Sequence, residues 1–182
     1  MPHRTFIACS TVDGHTLAIC ERIKSALAHG GHDCALAMLG ADPLPGVAGF
    51  DTVVVGASVR YGKHRPEVAE FLRRHRARLE GGRCAFFSVN VVARKPGKDT
   101  PEGNPYVQEL LREIGWRPAL LGVFAGKIDY PRYTFMDRNV IRFIMLLTDG
   151  PTDPKACVDF THWPSVDAFA QRVAALAGAR GP

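Results

Sequence analysis

The segment DTVVVGAS, residues 51–58, constrains the fold more than any other part of the chain because its valines are consecutive. A strand with one face in water alternates apolar and polar residues, whereas an unbroken apolar run indicates a strand buried on both faces. Strands of that kind are typical of parallel sheets that are covered by helices on both sides. The segment therefore predicts the centre of a parallel sheet.

Short apolar runs alternate with helical patterns along the rest of the chain. Strands are predicted at residues 5–9, 34–39, 51–58, 83–92 and 119–126. Helices are predicted at residues 16–28, 66–79, 107–114 and 166–176. This alternation indicates the α/β class, with a doubly wound, five-stranded parallel sheet in one domain of residues 1–182.

One segment, residues 127–154, is more than a minimal doubly wound domain needs. Its pattern predicts a helix from about Phe135 to Leu147, with Arg138 and Arg142 on the narrow polar side. The apolar stripe of this helix consists of Met136, Val140, Phe143, Ile144 and Leu147. A stripe of that width has to be covered by something.

Four coverings of that stripe are compatible with the residues. About 13 residues at roughly 1.5 Å each give about 20 Å, which is too short for a bilayer core of about 30 Å. The helix could lie in the membrane interface with its arginines towards lipid phosphates, cover a bound ligand, or fill an oligomer interface. It could also pack on the domain's own sheet, and the residues alone leave these placements open.

Composition restricts the compartment and the partners only coarsely. Lys and Arg exceed Asp and Glu by 23 − 18 = 5, which favours acidic ligands, anionic lipid or nucleic acid without identifying any of them. The five cysteines form no C-x-x-C pair, and their odd number fits a reducing compartment. The first residues, MPHRTFIAC, lack the layout of a signal peptide, so a cytoplasmic location is expected.

Three loops at predicted strand ends have a composition that suits ligand binding. In an open α/β sheet, ligands bind beyond the carboxyl ends of the strands. The loops are STVDGHT at 10–16, SVRYGKH at 58–64 and SVNVVARKPGKDTPEGN at 88–104. The first contains neither the dinucleotide fingerprint G-x-G-x-x-G nor the P-loop pattern G-x-x-x-x-G-K-[ST].

The first loop has two explanations. The hydroxyls of Ser10, Thr11 and Thr16, with Gly14 turning backbone amides inward at a helix N-terminus, suit a phosphate monoester. Alternatively, Asp13 or Ser10 only caps the following helix. The loop by itself leaves both open.

The loops together resemble one known family. STVDGHT is similar to the phosphate loop of flavodoxins, [ST]-x-x-x-G-x-T. GASVRYGKH at 56–64, SVNVVARKP at 88–96, WRP at 116–118 and FAGKIDYPRYTFMDR at 124–138 resemble the flavodoxin-like, menaquinone-dependent protoporphyrinogen IX dehydrogenases of bacterial haem synthesis. The resemblance covers nearly the whole chain. It implies a flavodoxin-like fold, FMN as cofactor, oxidation of protoporphyrinogen IX, and a membrane quinone, menaquinone or ubiquinone, as acceptor.

Carried over by position, the resemblance implies three groups of FMN contacts. The phosphate would be held by Ser10, Thr11, Val12, Asp13, Gly14, His15 and Thr16. The isoalloxazine ring would be edged by Ala57, Ser58, Val59, Arg60, Tyr61, Gly62, Ser88, Val89, Asn90, Val91, Val92 and Ala93. Simple flavodoxins often place the ring between two aromatic side chains, whereas this chain has only Tyr61 as an obvious candidate. It also has Thr161-His162-Trp163 where this branch commonly has Thr-Asp-Trp, which puts an acidic role at that position in doubt.

Two basic clusters flank the second and third loops. They consist of Arg60, Lys63, His64 and Arg65, and of Arg94, Lys95 and Lys98. Such clusters are commonly a solvated rim, but the two propionates of a porphyrinogen could accept charge-assisted hydrogen bonds from them. With the resemblance, the expected substrate contacts are Arg60, Arg94, Lys95, Tyr130 and Tyr133.

The resemblance also implies where the protein works. Residues 130–148 would contact the membrane surface, and the protein would be peripheral on the cytoplasmic face of the inner membrane. We expect no nucleic-acid partner and no metal site. No catalytic acid or base stands out, which fits a flavin that supplies the chemistry itself. His15 and His64 are expected at the surface.

Two other functions compete with this interpretation. A flavodoxin-like electron carrier that serves a protein partner would need an acidic docking face, against which the net charge of +5 argues. A non-enzymatic module that binds lipid or protein through the insert would not bind FMN. The identity of the quinone and the oligomeric state do not follow from the sequence.

Overall fold

The computed structural model describes residues 2–41, 43–80 and 82–178, so the predicted domain ends at 1 and 182 lie outside the described residues. The strands are β1 (Arg4–Ser10), β2 (Asp33–Met38), β3 (Thr52–Arg60), β4 (Lys63–His64), β5 (Arg83–Asn90), β6 (Leu120–Ala125), β7 (Lys127–Asp129) and β8 (Cys157–Asp159). The α-helices are α1 (His15–His29), α2 (Pro66–Arg74), α3 (Arg76–Leu79), α4 (Pro105–Ile114), α5 (Phe135–Leu147) and α6 (Trp163–Gly178). Short 3-10 helices lie at Val47–Gly49, Val91–Arg94 and Tyr130–Arg132.

The main sheet has the predicted five parallel strands in the order β2-β1-β3-β5-β6. Strand β3 lies at the centre, and Val53, Val54 and Val55 are buried as their unbroken run predicts. The two-residue strand β4 pairs antiparallel with the end of β3, which the sequence did not predict. The α/β, doubly wound architecture is therefore confirmed.

Helices cover both faces of this sheet. On one face, Ile19 and Ile23 of α1 and Val166 and Phe169 of α6 pack in one apolar cluster. On the other face, α2, α3 and α4 contribute to a second cluster, which includes Val68, Leu72, Leu79, Val107 and Leu110. This arrangement places the carboxyl ends of β1, β3 and β5 side by side at one edge of the domain.

One predicted helix is interrupted, and one predicted strand is two residues shorter than expected. The helix predicted at 66–79 is interrupted at His75, whose φ of −102° and ψ of 11° leave the helical region. The strand predicted at 83–92 ends at Asn90, because the Asn90 side chain accepts the Ala93 N–H and starts a 3-10 turn.

The insert contains its predicted helix with the predicted bounds, and Thr134 caps it by accepting the Asp137 N–H. Strands β7 and β8, which flank this helix in the chain, form an unpredicted antiparallel pair. Below the helix, Ile128, Tyr130, Tyr133 and Met145 form a small third apolar cluster.

Most of the predicted apolar stripe of α5 faces outward, and Ile144 lies at its inner edge. Met136, Phe143 and Leu147 are 75%, 61% and 68% exposed, so the stripe does not pack on the domain's own sheet. Arg138 and Arg142, predicted on the narrow polar side of the helix, face the domain. Both are half-buried, and the Arg142 Nε donates to the Thr152 carbonyl oxygen at 2.8 Å.

The described ranges contain no helix with both the length and the apolarity that crossing a bilayer requires.

Candidate functional site

A cavity of about 380 Å³ opens where the first three predicted loops meet the insert. Its floor is formed at the carboxyl ends of β1, β3 and β5, as expected for an open α/β sheet. Its outer wall comes from the insert, through Tyr133, Ile141, Ile144 and Met145. The cavity is therefore enclosed between the sheet and α5.

The first loop is not explained by helix capping. The N-cap of α1 is Gly14, which has a φ of 82° and provides no side-chain cap. The two capping candidates are engaged elsewhere, because Ser10 donates to Glu67 at 3.0 Å and Asp13 pairs with Arg60 at 2.8 Å. The capping alternative was therefore wrong.

The same loop fits an anion. The Oγ1 of Thr16 is buried and has no hydrogen-bond partner within the described ranges. A buried hydroxyl without a partner is costly, and an oxyanion oxygen at the start of α1 would relieve that cost. The first turn of α1 also points its free backbone N–H groups to this side and has no acidic residue.

The second loop is a tight hairpin between β3 and β4. Tyr61 and Gly62 both have positive φ, 51° and 79°, which is the backbone of a two-residue hairpin turn. This turn leaves Tyr61 59% exposed at the rim of the cavity. It also fixes Arg60, the last residue of β3, inside the rim.

Arg60 lies between two carboxylates from different parts of the fold. Its Nη1 is 2.8 Å from the Asp13 carboxylate in the first loop, and its Nη2 is 2.8 Å from the Asp137 carboxylate at the start of α5. The guanidinium also lies 5.5 Å from the centroid of the Tyr133 ring. Hydrogen bonds from the Tyr61 hydroxyl and Thr134, with the charge of Arg60, lower the pKa of the Asp137 carboxyl below its usual value.

Behind the hairpin, a buried polar network joins the second and third loops. The Nε2 of His64 is 2.9 Å from the Ser88 Oγ, which accepts a hydrogen bond from the Asn90 Nδ2 at 3.1 Å. The Asn90 Oδ1 in turn accepts from the Asn104 Nδ2 at 3.2 Å. His64, expected at the surface, is half-buried, and the partial removal of its ring from water lowers its pKa to about 4.

His15 is not a surface residue either. Its Nε2 is 2.6 Å from the Thr161 Oγ1, whose proton goes to the Ala125 carbonyl oxygen, so His15 donates to Thr161. Burial lowers the pKa of His15, against the nearby Asp159 carboxylate, which favours the charged form. Asp159 also accepts from the Trp163 Nε1 at 3.3 Å. The acidic residue that contacts His15 and Trp163 is therefore Asp159, whereas position 162 carries a histidine.

Fifteen of the nineteen predicted cofactor residues line the cavity: Thr11, Val12, Asp13, Gly14, His15, Thr16, Ser58, Val59, Arg60, Tyr61, Gly62, Val89, Asn90, Val91 and Val92. Ser10, Ala57, Ser88 and Ala93 are buried behind the lining. Among the predicted substrate contacts, Arg60 and Tyr133 line the cavity, and Lys95 is half-buried outside it. Arg94 and Tyr130 also lie outside the lining, since they donate to the carbonyl oxygens of Thr148 and Pro151, both at 2.6 Å.

Several lining residues were missed. They are Ala18, Tyr106, Gly126, Lys127, Ile128, Asp129, Arg132, Ile141, Ile144 and Met145. Tyr106 follows the third loop directly, so its place at the carboxyl end of β5 could have been found from the sequence. The insert residues could not, because their approach to the cavity depends on the pairing of β7 with β8.

Comparisons with known proteins agree with this fold. The flavodoxin-domain family model matches residues 6–155. The chain is similar to an archaeal flavodoxin structure, with a TM-score of 0.57, 14% identity and coverage of 97% of this chain and 99% of that one. It is also similar to flavodoxin 1 of Bacillus cereus, with a TM-score of 0.54, 13% identity and coverage of 98% and 99%. At these identities the two structures establish the fold alone.

Curated sequence relatives are more specific. The chain is 40% identical over 173 residues to the protein named protoporphyrinogen IX dehydrogenase [quinone] of Escherichia coli K12, covering 95% of this chain and 96% of that protein. It is 39% identical over 168 residues to the protein of the same name from Leishmania major, covering 92% and 73%. The chain therefore belongs to the flavodoxin-domain family and, within it, to the family of the protoporphyrinogen IX dehydrogenases [quinone].

Proposed function

We propose that this protein oxidises protoporphyrinogen IX to protoporphyrin IX with FMN and passes the electrons to a membrane quinone. The observation that carries the proposal is the 40% identity, over 95% of the chain, to a relative named for this substrate and for a quinone. The reaction removes six hydrogens in three two-electron steps. Three quinones are reduced to quinols for each porphyrin formed.

The cavity suits FMN because its two halves match a phosphate and a flat ring. Thr16, Thr11 and the first amides of α1 would hold the phosphate, and residues 58–62 and 89–92 would contact the ring. When bound, the flavin supplies the two-electron chemistry, taking a hydride equivalent from the substrate and giving electrons to the quinone. The protein's part is to bind, orient and exclude water.

Residues of the hairpin and the insert suit an amphiphilic substrate. Arg60 borders the cavity as a carboxylate-binding group, and Arg132 of the insert is a second guanidinium in the lining. Ile141, Ile144 and Met145 supply an apolar wall against which a porphyrinogen ring can pack while water is excluded. We therefore assign Arg60, Arg132 and Tyr133 to the substrate. Arg94 and Tyr130 instead hold the insert in place.

The outward side of α5 suits a membrane surface. Phe135, Met136, Phe143, Leu146 and Leu147 are all exposed large apolar side chains on this short helix. A helix with such a face lies in the interface region of a bilayer, where a lipid-soluble menaquinone or ubiquinone is found. We place the protein on the cytoplasmic face of the inner membrane, with residues 130–148 as its contact.

An anaerobic assay of purified, FMN-loaded protein tests the reaction. Protoporphyrinogen IX and a menaquinone or ubiquinone analogue are supplied, and porphyrin fluorescence is followed. We expect porphyrin to form only when a quinone is present. Thr16→Val should lose activity at limiting FMN and regain it at saturating FMN, because Thr16 serves the cofactor alone.

A yellow protein that leaves protoporphyrinogen IX untouched with either quinone would contradict the reaction and favour an electron carrier. A protein that cannot bind FMN would contradict the cofactor assignment and favour a non-enzymatic module.

A further inference from the structure

Arg60 is a guanidinium at the rim of the cavity that already holds carboxylates. Its side chain is 16% exposed, and each of its two terminal nitrogens lies 2.8 Å from a carboxylate oxygen, of Asp13 on one side and Asp137 on the other. Paired carboxylates at these distances match the charge-assisted geometry in which arginine binds carboxylate ligands. The site for a ligand carboxylate is therefore present, but the protein's own side chains occupy it.

The two occupants differ in how firmly they are held. Asp13 belongs to the loop that joins β1 to α1, and both elements lie within the main packed core. Asp137 belongs to the first turn of α5, whose thirteen residues include a single buried one, Met145. Elements with few buried contacts open at lower cost than core elements. Asp137 thus moves with the less firmly packed element, although its carboxylate is the less exposed of the two, 19% against 41%, and also accepts a hydrogen bond from the Tyr61 hydroxyl.

The charges around Arg60 favour a ligand carboxylate that replaces Asp137 over one that binds in addition to both aspartates. With Asp13 and Asp137 in place, one guanidinium already has two carboxylates. A third carboxylate would be repelled by both, whereas replacing Asp137 leaves the charge of the cluster unchanged. The released Asp137 would stay at the N-terminus of α5, where the helix dipole favours a negative charge.

We propose that Asp137 sets the affinity for carboxylate ligands, because it occupies the carboxylate site of Arg60 in the free protein and is replaced there by a carboxylate of the substrate. The inference rests on the proposed function for the identity of the substrate. A ligand with a free carboxylate regains the ion pair that it breaks. A neutral ligand of the same shape has no group to place on Arg60, so it binds with the Asp137–Arg60 pair intact.

Porphyrin binding to the FMN-loaded protein tests this inference. The probes are protoporphyrin IX, which carries two carboxylates, and its dimethyl ester, which carries none, each titrated in dilute detergent and followed by fluorescence anisotropy. Asp137→Asn removes the competing charge at nearly constant shape. We expect it to lower the Kd for protoporphyrin IX about tenfold and to leave the Kd for the ester unchanged.

Two further variants separate charge from loosening of the helix. Asp149→Asn, at an exposed residue outside the lining and past the other end of α5, changes net charge equally and is expected to bind both probes as the unmodified protein does. Asp137→Glu keeps the competing charge and is expected to bind protoporphyrin IX within about twofold of the unmodified protein.

The inference is overturned if Asp137→Asn leaves the Kd for protoporphyrin IX unchanged or raises it, or if this variant tightens binding of the ester as much as binding of protoporphyrin IX. Failure of the proposed function has a different signature. In that case no porphyrin forms from protoporphyrinogen IX, while the difference between the diacid and the ester can still be measured.

Discussion

The Nε2 of His64 lies 2.9 Å from the Oγ of Ser88, so a histidine of the β3–β4 hairpin is hydrogen-bonded to the buried end of β5. Both residues are behind the cavity, and they hold the second and third loops at a fixed separation. Because the imidazole is half-buried and its pKa is about 4, it is neutral at pH 7. The contact has consequences for pH stability.

Folding should lose stability below pH 6.5 through His64. The unfolded chain takes up a proton near pH 6.5, whereas the folded protein does so only near pH 4. Stability is therefore complete above pH 6.5 and falls by about 2.5 kcal/mol at pH 4.5. Urea unfolding of the unmodified protein and His64→Gln at pH 7.5 and 4.5 measures this. The variant should lose about 2.5 kcal/mol less between the two pH values.

The control variant replaces the exposed His29 by Gln, and its loss of stability should equal that of the unmodified protein. Equal losses in all three proteins would contradict the prediction.

Thr16→Val should weaken FMN binding without affecting folding. The Thr16 Oγ1 has no partner in the described part of the chain, so its removal breaks no internal hydrogen bond. A lost hydrogen bond to a charged phosphate is worth about 1.5–3 kcal/mol, or roughly a 10- to 100-fold rise in Kd. Titration followed by flavin fluorescence should show this loss of affinity for FMN and none for riboflavin, which lacks the phosphate.

The control variant is Thr52→Val, which removes a hydroxyl that His3 contacts far from the cavity and should leave FMN binding unchanged. If the Thr16→Val variant bound FMN and riboflavin equally weakly, Thr16 would not contact the phosphate.

The double variant Phe143→Glu/Leu147→Glu should abolish membrane binding. Both side chains are exposed on α5, so charges there are tolerated in the folded protein but not in lipid. Each lost apolar contact is worth about 1.5–3 kcal/mol. Co-sedimentation with vesicles of phosphatidylethanolamine and phosphatidylglycerol measures the binding. Ala26→Glu/Ala77→Glu adds the same charge at exposed helix positions away from the insert and should sediment almost as the unmodified protein does. Similar loss in both pairs would mean that net charge, rather than α5, governs binding.

Gly56→Ala should destabilise the fold strongly. A Cβ at Gly56 would lie 2.3 Å from the Phe87 Cζ and 2.9 Å from the Cys20 Sγ, both in the core. Overpacking of a close-packed core costs about 1–3 kcal/mol, so the melting temperature should fall by several degrees. The matched change Gly46→Ala meets no atom within 4 Å and should be nearly neutral. A Gly56→Ala protein as stable as the unmodified one would show that Phe87 can move aside.

Arg94→Ala should loosen the end of the insert. Its Nη2 donates to the Thr148 carbonyl oxygen at 2.6 Å, directly after α5. Hydrogen exchange followed by mass spectrometry should show faster exchange in residues 144–152 for this variant. Lys95→Ala, which removes the neighbouring cation, should leave exchange in that segment unchanged. Unchanged exchange in the Arg94 variant, with weaker substrate binding, would restore the substrate role that the sequence suggested.

The sequence predicts those parts of the fold that depend on local pattern. The valines of β3 determine their own burial, and Thr134 together with the apolar spacing determines both ends of α5. The direction in which α5 faces could not be predicted, because it depends on distant acceptors such as the Thr152 carbonyl oxygen. The burial of His64 also depends on a partner, Ser88, that lies 24 residues further along the chain.

The residues of the candidate site also fall into those that local sequence predicts and those that depend on contacts between distant segments. Motif positions predicted most of the residues that line the sheet side of the cavity, since those residues follow predictable strand ends. Asp137 was missed because its role arises from an ion pair with Arg60, which only the folded position of α5 brings about.

The pairing of β7 with β8 brings the two ends of the insert together. Lys127 is opposite Asp159, and the Phe160 N–H donates to the Gly126 carbonyl oxygen at 3.2 Å, so the chain leaves and re-enters the domain at one point. A segment with adjoining ends can be gained or lost without displacing β6 or α6. The length of the segment between β7 and β8 is thus independent of the main sheet, which allows this part of the chain to differ from a plain flavodoxin-like domain without a change in the sheet.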